Sequence, residues 1–139
     1  MASNRGWRIL FIILLVISVA LGCQGERKSM EGRCDYDGVK IEPIYAVYFT
    51  LRDGTEKKFC SIVCASMSFV ALKKQIREVR VVDEPSGNKI NASEAFFVES
   101  DIVTVPHVKN RIHVFAKKED ALKHIQKFKG NWVENPFLS

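Results

Sequence analysis

The chain has 139 residues, room for one domain of ordinary size or two very small ones. An apolar share of 47% with 27% charged residues is a globular balance and excludes wholesale disorder. The formal net charge is +5, but the cations alternate with anions, as in Arg77-Glu78 and Lys117-Lys118-Glu119-Asp120. No basic block carries interleaved aromatics, which speaks against nucleic acid as a partner.

The N-terminus reads as an export signal. Arg5 and Arg8 precede an unbroken apolar run, Ile9 to Ile17, and Val19-Ala20-Leu21-Gly22 leads into Cys23. A transmembrane helix needs about 20 apolar residues, whereas a signal h-region needs roughly 7–15. A small residue before a cysteine resembles the bacterial lipobox, although Ala20 and Leu21 stand in swapped order. The expectation is a lipoprotein signal over 1–22 with lipid attachment at Cys23. An uncleaved signal anchor, or conventional cleavage nearby, is the alternative. Either way the body of the protein is placed in the cell envelope, on the periplasmic side of a bacterial membrane. Residues 23–33 are polar and lack periodicity, as a flexible tether does.

Cys34-Asp35-Tyr36-Asp37-Gly38 then reads as a solvated acidic turn, because the rest of a calcium-loop pattern is missing. Ile44 to Leu51 is rich in β-branched and aromatic residues, Asp53-Gly54 marks a hairpin turn, and Glu56 to Phe59 returns. A helix is predicted from Cys60 or Ser61 to Ile76, apolar nearly all round. Its core stripe is read as Ile62, Ala65, Phe69, Leu72 and Ile76, with Cys60, Cys64 and Met67 facing away. Val79 to Val82 is a strand, and Pro85 to Lys89 a linker.

The second half repeats the scheme. Ala95 to Val98 and Arg111 to Phe115 are strands joined by a longer connection. Lys117 to Phe128 is an amphipathic helix with Ala121, Leu122, Ile125 and Phe128 on one face. Acidic residues occupy its first turn and lysines its last, and Gly130 stops it. Asn131 to Val133 closes the unit. The expected fold class is α+β: two small ββαβ units, a pseudo-repeat, over 34–84 and 90–139 with a linker at 85–89. A single mixed α+β sheet is the alternative.

Four cysteines are present, and a lipidated Cys23 leaves Cys34, Cys60 and Cys64. Exported thiols tend towards disulfides, but three cannot all pair within one chain. A metal would explain their retention. Two thiols four residues apart at a helix start have Cβ atoms about 5–6 Å apart on one face, and a helix N-terminus lowers thiol pKa. Cys34 supplies a third sulfur, and soft sulfur ligands select Cu(I) or Zn(II) over hard cations. His107, in Val105-Pro106-His107-Val108, is the candidate fourth ligand. His113 lies in a strand and His124 among lysines, so both read as structural or solvated. No haem-attachment motif, phosphate loop, serine elbow or His-Glu-x-x-His is present, which speaks against an enzyme and a small-molecule substrate.

Several stretches resemble the NosL family of nitrous oxide reductase accessory lipoproteins. They are Phe49-Thr50-Leu51-Arg52-Asp53-Gly54-Thr55 with Phe59, Ile90 to Val98, Val105-Pro106-His107, Ile112 to Ala121, and Lys129-Gly130. The resemblance spans roughly residues 34 to 134. It implies two ββαβ units, a periplasmic lipid anchor and delivery of Cu(I) to an exported copper enzyme or from a copper transporter. The ligands depart from the family pattern. The family carries two cysteines three apart followed by a methionine, and here only Cys34 remains, with Asp37 and Val39 in the other places. The family's Gly-Pro-Met stands here as Val105-Pro106-His107, which makes His107 the copper ligand implied by the resemblance. Cys60 and Cys64 are additions, and a cysteine followed by Cys-x-x-x-Cys resembles the TRASH-type metal module. Three readings follow: a metal chaperone using Cys34, Cys60, Cys64 and His107; a thiol–disulfide protein using Cys60 and Cys64; and a structural Zn(II) interaction module.

Overall fold

The computed structural model describes residues 31–138. The expected signal segment, most of the tether and Cys23 lie outside the described residues.

The first strand, β1 (Val47–Leu51), alternates as half-buried strands do: Val47, Phe49 and Leu51 point inward. Its hairpin partner β2 (Glu56–Phe59) pairs antiparallel with Val47 opposite Phe59. The turn follows from its residues. Asp53 Oδ1 accepts the Thr55 N–H at 2.9 Å, and Gly54 adopts φ +88°. Helix α1 (Ile62–Leu72) starts at Ser61, whose hydroxyl accepts the Cys64 N–H at 3.2 Å.

Strand β3 (Ile76–Val82) runs antiparallel to β1. The helix therefore ends four residues before the expected Ile76, which instead pairs with Leu51. The hairpin turn takes up the carbonyls of the two residues just before β3. Arg52 N–H donates to Gln75 O at 2.7 Å, and Arg52 Nε to Lys74 O at 3.1 Å. Strand β4 (Lys89–Asn91) adds to the far edge of β3, so the order is β2-β1-β3-β4.

The second sheet repeats the first. Strands β5 (Phe96–Glu99), β6 (Ile112–Phe115) and β7 (Asn131–Val133) pair antiparallel in the order β6-β5-β7, with α2 (Lys118–Phe128) between β6 and β7. In each unit the first strand is central, flanked by the second and by the strand after the helix. The fold is α+β, built on two ββαβ units.

Gly130 follows α2 as expected, for a different reason. The left-handed position is Lys129, at φ 52°. Gly130 is pressed against β5, where an added Cβ would come within 2.8 Å of Glu99 O. Leu122, expected on the buried face of α2, is 39% exposed.

One core serves both units. Phe49, Phe59, Phe97 and Val114 are buried in a single cluster, and Phe137 from the C-terminal segment joins them. Its ring lies 5.7 Å from Phe49 and 6.2 Å from Phe97. The units are also tied by polar contacts. Asp83 Oδ1 accepts the Ala116 N–H at 2.8 Å, and the Glu84 carboxylate sits 3.0 Å from Nδ1 of buried His113. Among the described residues no helix is long and apolar enough to cross a membrane.

Candidate metal centre

The site is assembled from two stretches of the first unit and one loop of the second. The first stretch is the turn carrying Cys34. Cys34 N–H donates to Val39 O at 2.8 Å, Gly38 N–H returns to Cys34 O at 2.9 Å, and Gly38 has φ +74°. Asp35 docks this turn on β2 twice: its N–H donates to Lys58 O at 2.8 Å, and its Oδ2 accepts the Lys58 N–H at 2.6 Å. The turn therefore roofs the end of β2 and the start of α1, where Cys60 and Cys64 lie.

Cys34, Cys60 and Cys64 are all buried, at 2%, 1% and 0% exposure. The sequence placed Cys60, Cys64 and Met67 together on a face turned from the core, and this is corrected. Met67 is 59% exposed while both thiols are interior. Cys60 precedes the capping Ser61 and so is not on the helix, and Cys64 lies under the Cys34 turn. The expected drop in thiol pKa is corrected too. Burial pushes the Cys60 thiol well above its ordinary value, helped by hydrogen bonding with Cys64 and Cys34. Burial likewise carries Cys64 up to about 11, against the opposing hydrogen bond with Ser61.

Asp37 is the residue that sequence reasoning missed. Instead of standing in solvent, its side chain turns inward and keeps 20% of its exposure. Oδ1 is held by the Val39 N–H at 3.1 Å. Oδ2 lies 3.3 Å from Cys64 Sγ and 3.6 Å from Cys60 Sγ. Burial alone would raise its pKa, but hydrogen bonds from Val39, Cys34, His107 and Cys64 outweigh this and hold the carboxyl below the usual range. A signal was present in the sequence: Asp37 occupies the place of the second cysteine in the NosL pattern.

The four donor atoms of Cys34, Asp37, Cys60 and Cys64 all lie within 4.8 Å of one another, close enough to share one ion. The Cys60 and Cys64 sulfurs are 3.5 Å apart. The chain's sequence matches no family model and no curated protein. Its fold does find a match: the crystal structure of the copper chaperone NosL from Shewanella denitrificans, with a TM-score of 0.66 and 22% identity. The match covers 84% of this chain and 96% of that one. The fold is NosL-like. The cluster of Cys34 with Cys60 and Cys64 fits the pattern of one cysteine followed by Cys-x-x-x-Cys.

In this NosL-like frame the second unit contributes His107, on the short 3-10 turn Pro106–Val108. The loop is braced by buried Asn110, whose Nδ2 donates to Thr104 Oγ1 at 2.7 Å and to Ile112 O at 3.0 Å. His107 Nε2 reaches Asp37 Oδ2 at 2.9 Å and lies 3.7 Å from Cys60 Sγ. It stands outside the four-donor group, at the rim. A nitrogen donating its proton to Asp37 cannot at that moment offer a lone pair to a metal. Three thiols beside a carboxylate suit a soft or borderline cation that displaces the thiol protons as it binds.

Proposed function

We propose that this protein is a metallochaperone-like carrier, not an enzyme, for a soft metal ion, Cu(I), held on Cys34, Cys60 and Cys64 with His107 in reach. The observation that carries the reading is the convergence of three buried thiols, from two separate segments, on one point. A single buried cysteine packs as a small apolar group, but three that converge with a carboxylate on one point have the donor set of a metal site. Three sulfurs satisfy Cu(I) and leave room for an incoming ligand, so the ion can pass by exchange to a partner. The NosL-like fold, seen in a protein described as a copper chaperone, supports the same reading. The proposal includes export, anchoring through lipid at Cys23 on the periplasmic side of a membrane, and an extracytoplasmic copper enzyme or copper transporter as the partner.

The 3.5 Å approach of Cys60 to Cys64 favours a second reading, reversible disulfide formation. That reading leaves unexplained why Cys34 and Asp37 are gathered at the same point. A structural Zn(II) staple has less support, since the aromatic core is continuous without it.

The test is metal content and Cu(I) competition with a chelator, on the reduced protein and on a variant with Cys60→Ser and Cys64→Ser. Near-stoichiometric Cu(I) that the double variant loses supports the carrier. A reduced protein that takes up neither Cu(I) nor Zn(II) overturns it, and a free-thiol count changing reversibly by two would then support the redox reading.

A further inference from the structure

The proposed Cu(I) reading leaves one donor unused. Three thiols are enough for Cu(I), yet the fold also delivers a carboxylate to the same point. Asp37 is not there as a loose surface group. Its Oδ1 is tied to the Val39 N–H, which fixes the plane of the carboxylate. Its Oδ2 is thereby aimed between Cys60 and Cys64, at 3.6 and 3.3 Å. His107 then donates to that same oxygen from outside at 2.9 Å. A carboxylate backed by a histidine is a ligand whose orientation is set before any ion arrives.

Carboxylate oxygen is a hard donor. It adds little to Cu(I), which is satisfied by two or three sulfurs, but it suits a divalent ion of borderline softness. Zn(II) takes four ligands in a tetrahedron and accepts Cys and Asp together. Four donors that all lie within 4.8 Å of one another meet that need. His107 does not compete for the place, because its Nε2 is engaged with Asp37.

We infer that Asp37 is a specificity-determining residue: it gives the site a four-donor mode for a divalent ion of the Zn(II) class, beside a three-sulfur mode for Cu(I) that does not need it. The inference rests on the proposed metal site. In the divalent mode Asp37 Oδ2 is the fourth ligand and His107 its outer support. In the Cu(I) mode the three sulfurs hold the ion and Asp37 keeps its bonds to Val39 and His107.

The experiment uses the full chain, reduced, as wild type, Asp37→Asn and Asp37→Cys, with Zn(II) and Cu(I) each titrated against a competing chelator. Asn keeps an oxygen for the Val39 N–H while removing the charge, and thermal unfolding of the metal-free proteins checks that all three fold alike. The expected result is that Asp37→Asn weakens Zn(II) by about 100-fold or more, the upper end of losses at supporting residues. Its Cu(I) affinity stays within about 3-fold, since soft sulfur carries that mode. Asp37→Cys restores Zn(II) by supplying a fourth sulfur. Equal losses for both ions, or no loss of either, overturn the specificity role while the metal reading stands. A wild type that binds Cu(I) but not Zn(II) does the same. A wild type that binds neither ion overturns the metal reading itself.

Discussion

His107 and Asp37 are 70 positions apart in the chain and 2.9 Å apart in space. One belongs to a turn of the second unit and the other to the turn that opens the first. Among the described residues their contact is the shorter of two by which His107 joins the units at the site, the other being to Cys60 Sγ at 3.7 Å. Loss of the imidazole should therefore loosen metal retention without disturbing the fold, because His107 is an exposed rim residue. We expect His107→Ala to weaken Zn(II) retention by about 10-fold, as removal of supporting groups at metal sites does, while Cu(I) retention stays within about 3-fold. Stability should change by no more than about 0.5 kcal/mol. Chelator competition and thermal unfolding measure the two effects, and unchanged Zn(II) retention would remove His107 from the site.

Phe137 lies at the other extreme of the chain, and its ring packs on Phe49, Phe69 and Phe97. Here it fills the space between the units at 8% exposure. Phe137→Ala should cost about 3–5 kcal/mol in denaturant unfolding, the range for buried aromatics. A loss below about 1 kcal/mol would mean that the C-terminal segment is not held in the core.

The two residues after α2 make opposite predictions. Gly130→Ala puts a Cβ against the Glu99 carbonyl, which is backbone and cannot swing aside. It should destabilise by about 1–3 kcal/mol, as overpacking does. Lys129 holds a left-handed conformation at φ 52°, which glycine adopts without strain. Lys129→Gly should be neutral or slightly stabilising. Melting temperatures of the two variants, moving in the same direction by similar amounts, would contradict this account.

His124 gives the fold a dependence on acid. Burial lowers its pKa below the ordinary 6.5, and the neighbouring His113 adds to the effect, against the opposing Glu84 charge. Its ring lies 4.2 Å from His113 and 4.7 Å from Phe128, and Nε2 is 3.0 Å from Ser100 Oγ. A histidine whose folded pKa is depressed binds protons more readily in the unfolded chain. Its contribution is present above pH 6.5 and is lost as pH falls through the folded value. Stability should therefore decline on acidification below that point, and His124→Gln should flatten the decline. Unfolding curves over a pH series test this, and an identical slope in the variant would assign the effect elsewhere.

What could be read from the sequence was what local chemistry decides. Asp53-Gly54 fixed the first hairpin, and the spacing of Ala121, Ile125 and Phe128 fixed α2 to within a residue. The end of α1 was not legible, because Ile76 is claimed by pairing with Leu51 and the carbonyls of Lys74 and Gln75 before it by Arg52, from across the sheet. The orientation of Cys60 and Cys64 was hidden for a related reason. A helix apolar on every side gives no periodic clue to its inward face, and the covering element is a turn 26 residues earlier, at Cys34. Asp37 looked like any acid in a turn until that turn was docked. The three sulfurs could be grouped by chemistry alone, whereas the carboxylate needed the fold.

That docking also settles how the protein bears load. The stretch around Cys34 is clamped on both sides: Gly32 O accepts the Ile41 N–H before it, and Asp35 is bonded twice to Lys58 after it. A pull on the chain upstream would meet first the Gly32–Ile41 and Arg33–Lys40 pairing and next the bonds between Asp35 and Lys58. Under the proposed lipid anchor at Cys23, strain from the mooring would meet this pairing before it reached the proposed metal site.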